Sequence, residues 1–269
     1  MSTNPPPDPK TSMWAFIAFH LRFCRNQRKL NGDELGKIIN CSKATVSRIE
    51  NGETRLDEIQ AASLDREWAT GGLFTLMVWY ARLGHDPDWF REHVSYEARA
   101  LELKIYELAL IPGLFQTEAY ARSLMEVAGV EDVDTQVAAR MARKEILERR
   151  PRPQLWVLLT QSVLDWPYGG PEVMREQLAH LLELALRPNM SIRVIPRFAG
   201  SHIGVDGAFK VLRVAEGDVA YTEAHGGGRL ILSTEEVRMF ATRYDRIGAK
   251  ALNEDSSRSL IEQVMEAMR

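Results

Sequence analysis

Cysteine is scarce in this chain: two in 269 residues, Cys24 and Cys41, both near the start and at no spacing that a zinc site uses. That disfavours a disulfide scaffold and a zinc finger, and points to a reducing, cytoplasmic setting. Long apolar runs are missing too. Met13–Phe23, the most apolar stretch near the start, is too short to span a bilayer. The opening MSTNPPPDPK is Pro-rich and polar, without the apolar core of a signal peptide, so residues 1–12 are expected to form a disordered tail. A general excess of positive charge is also absent: the net charge is −3, which leaves only a local basic surface open for nucleic acid.

Catalytic and cofactor signatures are equally thin. The run HGGGR, His225–Arg229, resembles an esterase oxyanion loop, but no Gly-x-Ser-x-Gly elbow accompanies it, and a glycine-rich hairpin turn is the simpler reading. His202, Asp206 and His225 lack the tight spacing of metal ligands and read as loop polarity. GSHIGVDG, Gly200–Gly207, is too irregular for a phosphate-binding fingerprint, although the 200–228 loops are a plausible wall of a ligand or partner site. Trp156, Trp166, Tyr168 and Phe198 read as core or rim aromatics. No enzyme, cofactor or metal site is expected.

What the sequence does contain suggests two units. A composition of 45% hydrophobic and 26% charged residues is ordinary for globular chains, and 269 residues exceed one average domain. Residues 13–86 show helical spacing in five segments (13–28, 32–39, 42–51, 56–65 and 73–83) separated by glycine-containing breakers. Residues 87–103 read as a connecting helix. From 104 to 269 helices (from about 116, then 134–150, 172–186, 234–251 and 256–268) alternate with strands at 154–160, 191–196, 208–214, 219–224 and 229–232. The expected fold is an all-α domain followed by an α+β domain with a small, mostly antiparallel sheet. The apolar stripe of the 172–186 helix would pack on that sheet, with a dimer interface either there or near residues 89–103.

The segment NGDELGKIINCSKATVSRIENG, Asn31–Gly52, is the most informative. Asn31 is placed to cap one short helix, with Asp33 and Glu34 in its dipole-favoured first turn. Asn40 falls where a turn between two steeply crossed helices requires positive φ, and Ser42 caps a second helix. Val46 and Ile49 point inward, leaving Lys43, Ala44, Ser47 and Arg48 outward with Thr45 at the edge. From His20 to Arg48 seven basic residues (Arg22, Arg25, Arg28, Lys29, Lys37, Lys43, Arg48) face two acidic ones; from Glu50 to Glu67 six acids face two arginines. Positive charge is thus concentrated on the stretch that a helix-turn-helix would present to DNA.

The same segment resembles the lambda-repressor-like helix-turn-helix of the xenobiotic-response-element (XRE) class, through LNGDELGKIINCSKATVSRIENG. The resemblance implies a DNA-binding transcription regulator in which Lys43, Ala44 and Arg48 read bases, Thr45 and Ser47 lie close by, and Asn31, Ser42 and Asn51 meet the backbone. Gly36 stands where the class usually has alanine, and Gly32 where it has glutamine. Beyond Leu101, LALIPGLFQTEAYAR, ARKEILER, LWVLLTQSVL, IRVIP and EEVRMFATRYDRIGAKAL resemble the large domain of actinomycete regulators similar to WhiJ. A homodimer on a partly palindromic operator is expected, because one short recognition helix reads only a few base pairs and two-fold pairing multiplies the contacts; the second domain is expected to bind a signal or a small protein partner, and its likeness implies a small acidic BldB-like protein for that partner.

Overall fold

A computed structural model describes residues 7–83, 89–223 and 228–268, divided into two compact units, Met1–Phe90 and Arg91–Arg269. Residues 1–6 of the expected tail, the expected domain boundary at 86 and His225 lie outside the described residues.

The first unit is all helical: α1 Met13–Gln27, α2 Gly32–Ile38, α3 Lys43–Glu50, α4 Glu58–Trp68 and α5 Leu73–Leu83. Local chemistry sets each boundary. Ser12, Asn31, Ser42 and Asp57 cap α1 to α4 by accepting backbone N–H groups, and the caps of α2 and α4 are reciprocal, with Glu34 and Gln60 reaching back to the cap N–H. Ile17, Leu21, Leu35, Ile39, Val46, Ile49, Leu56, Leu64, Phe74 and Val78 form one buried core beneath the helices. Burial at this helical spacing holds such short helices together, since none would persist alone in water.

The second unit begins with the end of α6, Trp89–Arg99, and continues through β1 Glu102–Glu107, α7 Glu118–Val127, α8 Val133–Ala142, β2 Gln154–Thr160, α9 Ser162–Asp165, α10 Pro171–Ala185, β3 Met190–Ile195, β4 Phe209–Val214, β5 Gly217–Thr222, β6 Arg229–Ile231, α11 Thr234–Gly248 and α12 Glu254–Ala267. The strands form one sheet in the order β3-β2-β1-β4-β5-β6. β1, β2 and β3 run parallel, while β1-β4, β4-β5 and β5-β6 pair antiparallel. The architecture is α+β with a mixed six-stranded sheet. On one sheet face Tyr106, Leu158, Phe209, Val211 and Ala220 pack with Val237, Tyr244 and Ile247 of α11.

Three elements depart from the sequence reading. Strand β1 starts at Glu102, inside the stretch read as a connecting helix, and its parallel pairing with β2 creates the parallel half of the sheet. The end of α6 is no spacer: His93, Glu97 and Ala100 are buried in the second unit, and Arg149 donates to the carbonyls of Ala98 and Ala100. The helix expected at 134–150 ends at Ala142 and tightens into a 3₁₀ segment, Arg143–Leu147. The α10 stripe is consumed within its own unit, where Met174, Leu178, Leu181 and Leu184 are buried.

Candidate nucleic-acid interface

The α2–α3 turn is fixed from both sides. Asn40 adopts φ 51°, the left-handed conformation that asparagine tolerates, and the Cys41 N–H donates to the Gly36 carbonyl at 2.8 Å. A Cβ on Gly36 would stand 2.5 Å from the Cys41 carbonyl oxygen, so glycine is what lets the turn close on α2. Ser42 Oγ accepts the Thr45 N–H at 3.1 Å and lies 3.0 Å from Thr45 Oγ1, which starts α3 cleanly.

At about 100° per residue, Lys43, Ser47, Asn51, Ala44 and Arg48 occupy one face of α3, roughly 140° wide, opposite buried Val46 and Ile49. Lys43, Ala44 and Arg48 are exposed, Ser47 is half-buried within the face, and Thr45 is half-buried at its margin. Arg48 makes one long contact, 3.5 Å to Thr45 Oγ1. Lys43 lies 3.4 Å from Asp33, but both side chains are more than three-fifths exposed, so that pair is weak and exchangeable. An eight-residue helix is about 12 Å long, close to the width of the major groove. Short Ala44 and Ser47 leave the basic pair as the projecting groups.

The polar residues around α3 divide by role. Asn31 Oδ1 accepts the Asp33 and Glu34 N–H groups at 2.9 and 3.0 Å, and stays exposed. Asn51 ends α3, and its Oδ1 accepts from Arg22 Nη2 at 2.7 Å. Buried Glu50 receives Arg25 Nε and Nη2 at 2.6 and 2.9 Å, with Arg22 Nε 3.5 Å away. Arg25 also donates to the Leu30 carbonyl. Sequence reasoning counted Arg22 and Arg25 with the DNA-facing charge; instead they form a clamp tying α1 to the end of α3. Charge count alone could not reveal a partner 25 residues away.

Elsewhere, among the described residues, no cluster of His, Cys, Asp and Glu gathers as a metal site. His202 Nδ1 accepts the Gly204 N–H, and Asp206 is held by Arg243. Trp156, Trp166 and Phe198 stand on the surface of the second unit, while Tyr168 packs edge-on against Tyr120. Among the described residues, no helix is long and apolar enough to cross a membrane.

A capped helix pair with a left-handed asparagine turn and a basic outward helix defines a helix-turn-helix DNA-binding module. The helix-turn-helix family model (HTH_3) matches residues 21–64, from within α1 to within α4; this N-terminal segment is an XRE-type helix-turn-helix, which supports a DNA-binding regulator. A second family model, described as a domain of unknown function (DUF5753), matches residues 90–263, about two thirds of the chain, and the chain belongs to that family. No curated protein and no solved structure gives a significant match.

Proposed function

We propose that the chain binds a partly palindromic operator as a homodimer, reading bases with Lys43, Ala44 and Arg48 of α3, and that its DUF5753 unit receives the signal that modulates binding. The observation that carries the reading is the outward face of α3: two cations without a strong partner, flanked by short side chains, on a helix whose start, turn and end are all fixed. Thr45 and Ser47 edge the same face, and Asn31, Ser42 and Asn51 lie at helix ends where phosphates are met.

A homodimer is supported by an apolar surface on the same unit. Met13, Phe16, Phe19 and Phe23 of α1 and Leu73, Leu76, Trp79 and Tyr80 of α5 are each about half exposed, on two helices that pack together. At about 200 Å² per side chain they offer on the order of 800 Å², one partner's share of a standard interface. Phe16 and Phe23 lie on the face of α1 opposite Arg25, which grips α3, so pairing there leaves the reading helix free. For the second unit a small-molecule signal is favoured over an acidic BldB-like protein. A groove of about 980 Å³ in this unit carries Glu102, Asp245, Glu254 and Asp255 against Lys104 and Arg193, an acidic balance that disfavours an acidic partner there.

The test is selection of bound fragments from genomic DNA, followed by gel retardation with Arg48→Ala. A bidentate arginine–guanine contact contributes about 1–3 kcal/mol, so the variant should lose roughly tenfold or more on the selected site, concentrated at one base position. An equal loss on random DNA would reassign Arg48 to phosphate contact; no retarded fragment at low salt would overturn the function.

A further inference from the structure

Lys104 of β1, Trp156 of β2 and Ser191 of β3 are cross-strand neighbours, so they share the sheet face on which Tyr106 and Leu158 meet α11. This row floors the groove of about 980 Å³, with Asp245 of α11 and Glu254 and Asp255 of α12 in its walls. The start of α12 is pinned beside β3: the Leu252 N–H donates to the Val194 carbonyl at 2.8 Å, and Ser257 Oγ accepts the Val194 N–H at 3.0 Å. A smaller hollow of about 300 Å³ shares Trp156, Ser191 and Glu254 with the groove.

Most of the charge here is already matched. Lys104 Nζ lies 2.9 Å from Asp245 Oδ1 and 5.3 Å from the centre of the Tyr244 ring. Arg193 is spent on the turn between α11 and α12, donating to the carbonyls of Leu252, Gly248 and Ala251 at 2.8, 3.1 and 2.9 Å. Asp255 is met by Arg258, and Glu102 by Arg213 at 3.7 Å. Three groups remain. Trp156 is 43% exposed in the floor. Ser191 is only 8% exposed, yet its hydroxyl has no partner among the described residues. Glu254 is exposed at the start of α12 and has no hydrogen-bond or ion-pair partner among them either. A hydroxyl buried to this degree is ordinarily satisfied, so Ser191 calls for a polar group that enters from the groove.

The three agree on one kind of ligand group. An indole face attracts a cation, and a carboxylate and a hydroxyl oxygen both accept N–H, which together describe a primary ammonium. Four carboxylates against two committed cations keep the groove negative. The strands β1 and β3 are two strand spacings, about 10 Å, apart, so Glu102 and Glu254 stand toward opposite walls and one ammonium cannot serve both. We propose that the groove binds a linear polyamine, one ammonium held by Glu254 and Ser191, the methylene chain lying across Trp156, and a second ammonium directed toward Glu102. The proposal rests on the reading of the DUF5753 unit as the signal-receiving part.

The full chain is titrated calorimetrically at low salt with spermidine, putrescine, n-butylamine and a fully methylated, equally charged spermidine. Expected are affinity that rises with each added ammonium and falls as salt is raised, and about tenfold weaker binding of the methylated compound, which offers no N–H to Ser191 or Glu254. Trp156→Leu should weaken spermidine binding about fivefold and Glu254→Gln about tenfold. The methylated compound needs no substitution, so the test stays decisive even where a variant disturbs folding. No binding of spermidine, or binding indifferent to both substitutions and to methylation, overturns the site; equal affinity for n-butylamine overturns the polyamine class. Spermidine binding that leaves DNA retardation by the native chain and by Glu254→Gln equally affected supports the site and overturns the signal reading instead.

Discussion

Replacing Gly36 by alanine sets two effects of opposite sign against each other. Gly36 lies within α2, where helix propensity alone favours alanine by about 1 kcal/mol. Packing opposes it: the new methyl would stand 2.5 Å from the Cys41 carbonyl oxygen, and that oxygen is backbone. Relief requires α2 and the turn to move apart, yet the turn is held by the 2.8 Å bond from Cys41 N–H to the Gly36 carbonyl and by the left-handed Asn40. Overpacking at such a site costs about 1–3 kcal/mol, so the net expectation is destabilisation by about 1 kcal/mol, even though alanine is usual at this position in the resembled class. Hydrogen exchange of peptides covering 31–51, measured in the full chain, should accelerate about fivefold. Slower exchange in the variant would show that the turn yields freely, and would refute the claim that glycine sets the α2–α3 spacing.

Glu50→Ala should destabilise the helical unit by about 2–3 kcal/mol, less than a fully buried pair because Arg22 and Arg25 retain partial exposure; exchange in α1 and α3 unchanged within twofold would show the clamp contributes nothing. Phe19→Lys, on the exposed apolar face, should turn the dimer into monomer in sedimentation velocity without altering helix content, and a persisting dimer would place the interface elsewhere. Glu107 keeps its proton to about pH 8 in the fold but ionises near 4.5 when unfolded, so between these values the unfolded chain holds fewer protons and stability falls as pH rises. Glu107→Gln should remove that slope and stabilise the α+β unit by about 3 kcal/mol at pH 7; denaturant melts in which the variant tracks the native chain at both pH 5 and pH 8 would refute it.

The helix-turn-helix was legible because its determinants are local. Asn31, Asn40 and Ser42 act within three residues of themselves, and the Val46/Ile49 spacing repeats at short range. Long-range partners were not legible. ELKIYE reads poorly as a strand because Glu102, Lys104 and Glu107 interrupt it, and what accommodates two of those charges comes from Arg213 and Asp245, more than a hundred residues away. The same limit put Arg22 and Arg25 on the wrong side of the ledger.

The clamp changes how the helical unit must hold DNA. With Arg22 and Arg25 tied to Glu50 and Arg28 held over the Trp68 ring at 4.6 Å, the cations left to meet phosphates or bases near α3 are Lys29, Lys37, Lys43 and Arg48, opposed by Asp33 and Glu34. Even four phosphate contacts per subunit would be weakened about a hundredfold by a fourfold rise in salt, so one copy holds its site poorly under cellular conditions. In the proposed homodimer, occupancy would depend on the second copy, and the apolar α1–α5 face would be the point of control. A signal received by the α+β unit, as proposed, would then need only to shift dimerisation, without reaching α3, to lower occupancy of the operator.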